Sequence, residues 1–135
     1  MCVVVGYVPT AEGDAALEAA IDEAVRIGGP LIVVLSERGH RFGADPVELQ
    51  TVADGVRTRL ESTGLRFEVR QTTRGRDVAE DIVDAAAAGQ ANLVVIGLRR
   101  RSPLGKLLLG SNAQRILLDA PCPVLAVKPR PESVA

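Results

Sequence analysis

The residues with the clearest chemical potential fall between Asn92 and Pro129, NLVVIGLRRRSPLGKLLLGSNAQRILLDAPCPVLAVKP. An apolar run closes at Gly97, a basic segment carrying Arg99-Arg100-Arg101 and Lys106 follows, and Gly110-Ser111 opens a helical pattern ahead of a second apolar run. The first N–H groups of a helix lack intrahelical partners and carry a partial positive charge, so this layout suits an anion, a phosphate above all. Gly110 lets a ligand approach the backbone, and the Ser111 hydroxyl either caps the helix or donates to a phosphate oxygen. The arginines admit two readings as well: a phosphate clamp built from guanidinium forks, or a solvated basic loop.

Groups for covalent or acid–base catalysis are sparse. A phosphoacceptor domain needs an aspartate at the end of a central strand, and the expected strand ends offer Tyr7, Leu35, Thr72 and Gly97. The single histidine, His40, stands in the polar stretch SERGHRFGAD and reads as a surface residue. Glu12 and Asp14 read as favourable charge at a helix start. Cys2 and Cys122 sit in separate expected strands without metal-ligand spacing, which makes them buried thiols. ATP hydrolysis requires Mg²⁺ and a positioned water, and no carboxylate is evident to hold them. The reading is therefore reversible binding without turnover: not an enzyme, with no metal site of its own and Mg²⁺ arriving, if at all, with ATP.

The elements that must position these residues follow from periodicity. Residues 2–8 are apolar and β-branched and run into a loop at Pro9-Thr10. From Asp14, Leu17, Ala20, Ile21, Ala24 and Val25 recur at helical spacing until Gly28-Gly29. Leu31 to Leu35 is apolar on both faces, as a strand covered above and below must be. Asp45-Pro46-Val47-Glu48 has the spacing of a capping box, and its helix turns Leu49, Val52, Ala53, Val56 and Leu60 inward before stopping near Gly64. Residues 65–72 alternate apolar and charged, which places that strand at a sheet edge. Asp77 with Glu80 repeats the capping spacing, and Val78, Ile82, Val83 and Ala86 give the third helix an apolar stripe. Leu93 to Ile96 reads as a central strand, and Ala113, Ile116, Leu117 and Ala120 turn one face of the fourth helix to the sheet.

Five strands alternating with four helices require right-handed crossovers and an open parallel sheet with helices on both faces. The burial patterns fit strand order 3-2-1-4-5. The winding then reverses between strands one and four, where ligands of open α/β sheets bind, and the loops meeting there are Val8 to Gly13 and Gly97 to Gly110. Val124 to Val127 forms the other edge without any charge, which invites pairing with a second copy; the expectation is a homodimer through that strand, against the alternative that the tail from Arg130 folds over it.

At 135 residues the chain is expected to form one domain, spanning 1–135. Apolar residues make up 47% and charged residues 24%, ordinary globular usage that excludes disorder. With only Tyr7, Phe42 and Phe67 as aromatics there is no base-stacking platform for single-stranded nucleic acid, and a net charge of −1 gives no reason to expect a polyanion or a membrane as partner. No charged start leads into an apolar segment, and no apolar run approaches the roughly 18 residues of a membrane span, so the expected location is the cytoplasm.

The stretch from Gly97 resembles the carboxyl-terminal signature of the universal stress protein family, whose nucleotide-binding members carry Gly, two residues, Gly, nine residues, then Gly-Ser or Gly-Thr. Gly97, Gly110 and Ser111 match, while Arg100 stands at the second glycine and Val8 at a position after strand one that is acidic in many members. The ending APCPVLAVKP and the succession of elements extend the likeness over the whole chain. The resemblance implies a Rossmann-like fold of the adenine nucleotide alpha hydrolase type and a cytoplasmic stress-response protein that binds ATP or AMP. It implies Gly97, Gly110 and Ser111, with Asn112 and Ala113 behind them, at the phosphates and ribose; on the clamp reading Arg99 and Arg100 join them from the loop. Pro9, Thr10 and Val34 are implied on the base side. Some members of the family do not retain ATP, and the alternative is a dimeric protein-interaction module.

Overall fold

A computed structural model describes residues 1–35, 46–71, 77–98 and 110–129. Strands β1 (Val3–Tyr7), β2 (Leu31–Leu35), β3 (Phe67–Gln71), β4 (Leu93–Gly97) and β5 (Val124–Val127) alternate with helices α1 (Ala11–Ile27), α2 (Pro46–Glu61), α3 (Val78–Ala88) and α4 (Ser111–Asp119). All pairings are parallel and the sheet order is β3-β2-β1-β4-β5, as the burial patterns of the strands predict. The three apolar runs at its centre are buried because helices cover both faces; β3, with its alternating charges, is the edge beside β2.

The period-2 alternation of the strands divides the core in two. Val3, Val5, Tyr7, Leu31, Val33, Leu35 and Val95 face α1 and α2, where Leu17, Ala20, Ala53 and Leu60 meet them. Val4, Ile32, Val34, Val94 and Ile96 face α3 and α4, where Ile82, Ala86 and Ile116 meet them. Cys2 is a buried thiol of this second layer, whereas Cys122 is only half-buried; burial pushes both thiols up from their ordinary pKa.

Two helices depart from the sequence expectation. The first begins at Ala11, three residues ahead of Asp14, because Thr10 caps it: the Gly13 amide donates to Thr10 Oγ1 at 3.2 Å. The expected loop from Val8 to Gly13 is thus only half loop. Its far end stops as expected, with Gly28 left-handed at φ 72°. In α4 only Ile116 is buried; Ala113 and Ala120 are half-buried and Leu117 is exposed, so this helix lies on the sheet along one narrow line. Asp45 of the expected capping box lies outside the described residues, whereas Asp77 does cap α3, accepting from the Ala79 amide at 3.2 Å.

Candidate functional site

Above the carboxyl ends of β1 and β4 lies a hollow of about 130 Å³. Its floor is Gly6, Tyr7 and Val8 from the end of β1 with Ile96 and Gly97 from the end of β4. Three helix amino ends wall it: Glu12 and Gly13 of α1, Val78 and Ile82 of α3, and Asn112, Ala113 and Ile116 of α4. This is the switch point of the sheet, where the crossover from β1 leads to β2 on one side and that from β4 leads to β5 on the other.

Glycines make the hollow by letting α1 lean inward. A Cβ on Gly13 would lie 1.7 Å from the Val8 carbonyl oxygen, and one on Gly97 would lie 2.4 Å from that of Glu12. Both positions therefore need glycine for backbone-to-backbone packing. Gly6 leaves room of another kind, since a Cβ there would meet Ile82 Cδ1 at 2.7 Å. Tyr7 Oη donates to Asp14 Oδ1 at 2.8 Å and fastens the first turn of α1 to the end of β1. Burial first, then that hydrogen bond and the Asp14 charge, push the Tyr7 phenol up to about 12, so it stays neutral and committed to Asp14.

The three helix ends differ electrically. The first turn of α1 carries Glu12 and Asp14 under a Thr10 cap, and that of α3 carries Glu80 and Asp81 under an Asp77 cap. The N-cap of α4 is Gly110, which has no side chain to offer, and its first turn contains no acidic residue. Its first amide with an intrahelical partner is that of Gln114, which donates to the Gly110 carbonyl at 3.0 Å. Ser111 is the first helical residue and is exposed, so its hydroxyl does not serve as the N-cap. Of the three, α4 is the end whose own described residues place no carboxylate against its positive potential.

The sequence-derived residues distribute unevenly around this site. Gly97, Asn112 and Ala113 line the hollow. Gly110 and Ser111 begin the adjoining helix, and Thr10 spends its hydroxyl on the α1 cap beside Pro9. Val34 is buried on the α3 side of β2 and borders a separate hollow with Arg70, Gln71, Asp81 and Asp84. Arg99 and Arg100, with Arg101 and Lys106, lie outside the described residues, as does His40. Sequence reasoning brought the stretch from Val8 to Gly13 here but missed Gly6, Val78 and Ile82; a glycine under a helix and a β-branched residue at a helix start carry no local signal of a cleft. Among the described residues no group of three or more His, Cys, Asp or Glu side chains is placed to hold a metal ion.

An open parallel sheet of this order, with a hollow at its switch point and one uncapped helix end beside it, defines a small Rossmann-like α/β protein. The family model described as "Universal stress protein family" matches residues 1–128, and the chain belongs to that family. It is 42% identical over 127 residues to a universal stress protein of Mycolicibacterium smegmatis, covering 94% of this chain and 97% of the relative. The structure of a universal stress protein from Archaeoglobus fulgidus is similar at a TM-score of 0.79 and 33% identity, covering 95% of this chain and 98% of that one. A structure of the universal stress protein from the same organism in complex with dAMP is similar at a TM-score of 0.75 and 28% identity, with the same coverage of both chains. No helix among the described residues is long and apolar enough to cross a membrane.

Proposed function

We propose that this chain is a cytoplasmic stress-response protein that reversibly binds an adenine nucleotide, AMP or ATP, at the hollow between β1 and β4 and uses occupancy as a regulatory signal without turnover. The observation that carries the reading is the amino end of α4, with no side chain on its N-cap and no acidic residue in its first turn, standing beside a mostly apolar hollow. Phosphate oxygens would meet the Ser111, Asn112 and Ala113 amides and the Ser111 hydroxyl, while the apolar walls from Val8, Ile82 and Ile96 suit the flatter part of the ligand. The dAMP complex of the Archaeoglobus relative supports the same ligand class. Mg²⁺ would come with ATP, held by its phosphates. The test is calorimetry with AMP, ATP and dAMP, together with chromatography of whatever adenine nucleotide the purified protein releases on denaturation. Absence of both heat and released nucleotide overturns the reading.

A second reading, a dimeric interaction module, is favoured by one feature. Leu117 and Leu118 of α4 and Leu125 of β5 are exposed, Leu118 to 83%. Among the described residues no strand pairs with the outer edge of β5, and a homodimer through Val124–Val127 is compatible with nucleotide binding; the tail from Arg130 lies outside the described residues.

A further inference from the structure

The fourth helix is held at few points. It has nine residues, and of these only Ile116 is buried. A short helix with one buried side chain, and with only the small side chains of Ala113 and Ala120 half-buried beside it, has its rotation about that line weakly fixed. The residue next to Ile116 supplies a second point. The Arg115 guanidinium pairs with Asp77 Oδ2 through Nη1, and Nη2 donates to Glu80 Oε1 at 3.3 Å. Both carboxylates belong to the start of α3, and Asp77 Oδ1 is already occupied as the α3 cap. One carboxylate thus joins the start of α3, which brings Val78 to the hollow, to the second turn of α4, one turn beyond Asn112 and Ala113.

We propose that Arg115 is a positioning residue for the anion site: tethered to Asp77 and Glu80, it sets the angle at which the α4 amino end faces the hollow. The proposal rests on the nucleotide reading above. The tether is not there chiefly for global stability, because ion pairs this exposed contribute little to it. Its value is geometric. Backbone donors grip a phosphate only within a few tenths of an ångström and a narrow angle, so freeing α4 to turn about Ile116 weakens the phosphate contact while the apolar walls from β1, β4 and α3 stay in place.

The experiment compares Arg115→Gln and Arg115→Lys with the wild type by calorimetry against AMP and adenosine, and by amide hydrogen exchange without ligand. Arg115→Gln is expected to weaken AMP about tenfold while leaving adenosine unchanged, and Arg115→Lys to restore part of the loss. In the ligand-free protein, exchange at residues 114–118 is expected to speed up about tenfold in the glutamine variant, with residues 82–86 of α3 unaffected. Unchanged AMP affinity, or an equal loss for adenosine, overturns the proposal. Should the wild type bind neither ligand, the nucleotide reading fails on its own, and unchanged exchange at 114–118 then overturns the tether independently.

Discussion

The Gly97 Cα faces the Glu12 carbonyl so closely that a Cβ would stand 2.4 Å from its oxygen. The first glycine of the motif is therefore required by packing between β4 and α1, whatever ligand lies nearby. Backbone atoms cannot rotate away as a side-chain tip can. Gly97→Ala must push the first turn of α1 outward and is expected to cost about 2–3 kcal/mol, read as a lower denaturation midpoint at unchanged m-value. Gly13→Ala, whose Cβ would lie 1.7 Å from the Val8 oxygen, is expected to cost more. A Gly97→Ala protein of wild-type stability would show that α1 does not press on β4 in solution.

How much of this was legible in the sequence differs by element. Strand order followed from which runs were apolar on both faces, a local property of Leu31–Leu35 and Phe67–Gln71 that sheet position imposes directly. Asp77 as a cap was legible for the same reason. What local pattern cannot carry is approach between distant segments. The packing duty of Gly97 and Gly13, the Tyr7–Asp14 bond and the hold of Asp77 and Glu80 on Arg115 depend on how α1 and α4 lie across the sheet. The start of α1 was misplaced because Glu12 and Gly13 interrupt the apolar period, while the Thr10 cap that decides it lies outside that period.

Ser111 separates capping from ligand binding. As the first helical residue behind a Gly110 cap, its side chain is not the N-cap, so Ser111→Ala is expected to change stability by less than about 0.5 kcal/mol. The same substitution removes a hydroxyl from the proposed phosphate position and is expected to weaken AMP about tenfold. Calorimetry and thermal denaturation on one preparation check both. A large stability loss would restore the capping role, and unchanged affinity would remove the hydroxyl from the site.

The Tyr7–Asp14 bond makes an alkaline prediction. The folded state holds the phenol proton more tightly than the unfolded chain does, with a pKa of about 12 against 10.0. That contribution to stability is fully present below pH 10 and is lost as pH rises from there through 12, amounting to about 3 kcal/mol at most. Tyr7→Phe lacks this titration. Its stability relative to the wild type is expected to be lower at pH 8 and to converge on the wild-type value, or pass it, near pH 12. Parallel stability–pH curves for the two proteins would contradict a buried phenol bonded to Asp14.

Strand β5 ends the sheet with Leu125 38% exposed and no strand beyond it among the described residues. An apolar edge four residues long is stable in water only if its open N–H and C=O groups face solvent or another edge, and the absence of charge between Pro123 and Lys128 does nothing to discourage the second. If a second copy pairs there, Leu125 from each protomer is buried against the groove that Val3, Ile27 and Leu93 form beside it. Leu125→Lys places a charge in that contact and is expected to convert a dimer to a monomer in sedimentation velocity, with an unchanged circular dichroism spectrum, because the strand's inward residues Val124 and Val127 are untouched. AMP affinity should survive the conversion, since the hollow is lined by residues of one chain. A wild-type protein that sediments as a monomer at high concentration would remove the dimer, and a variant that stays dimeric would move the interface off this strand.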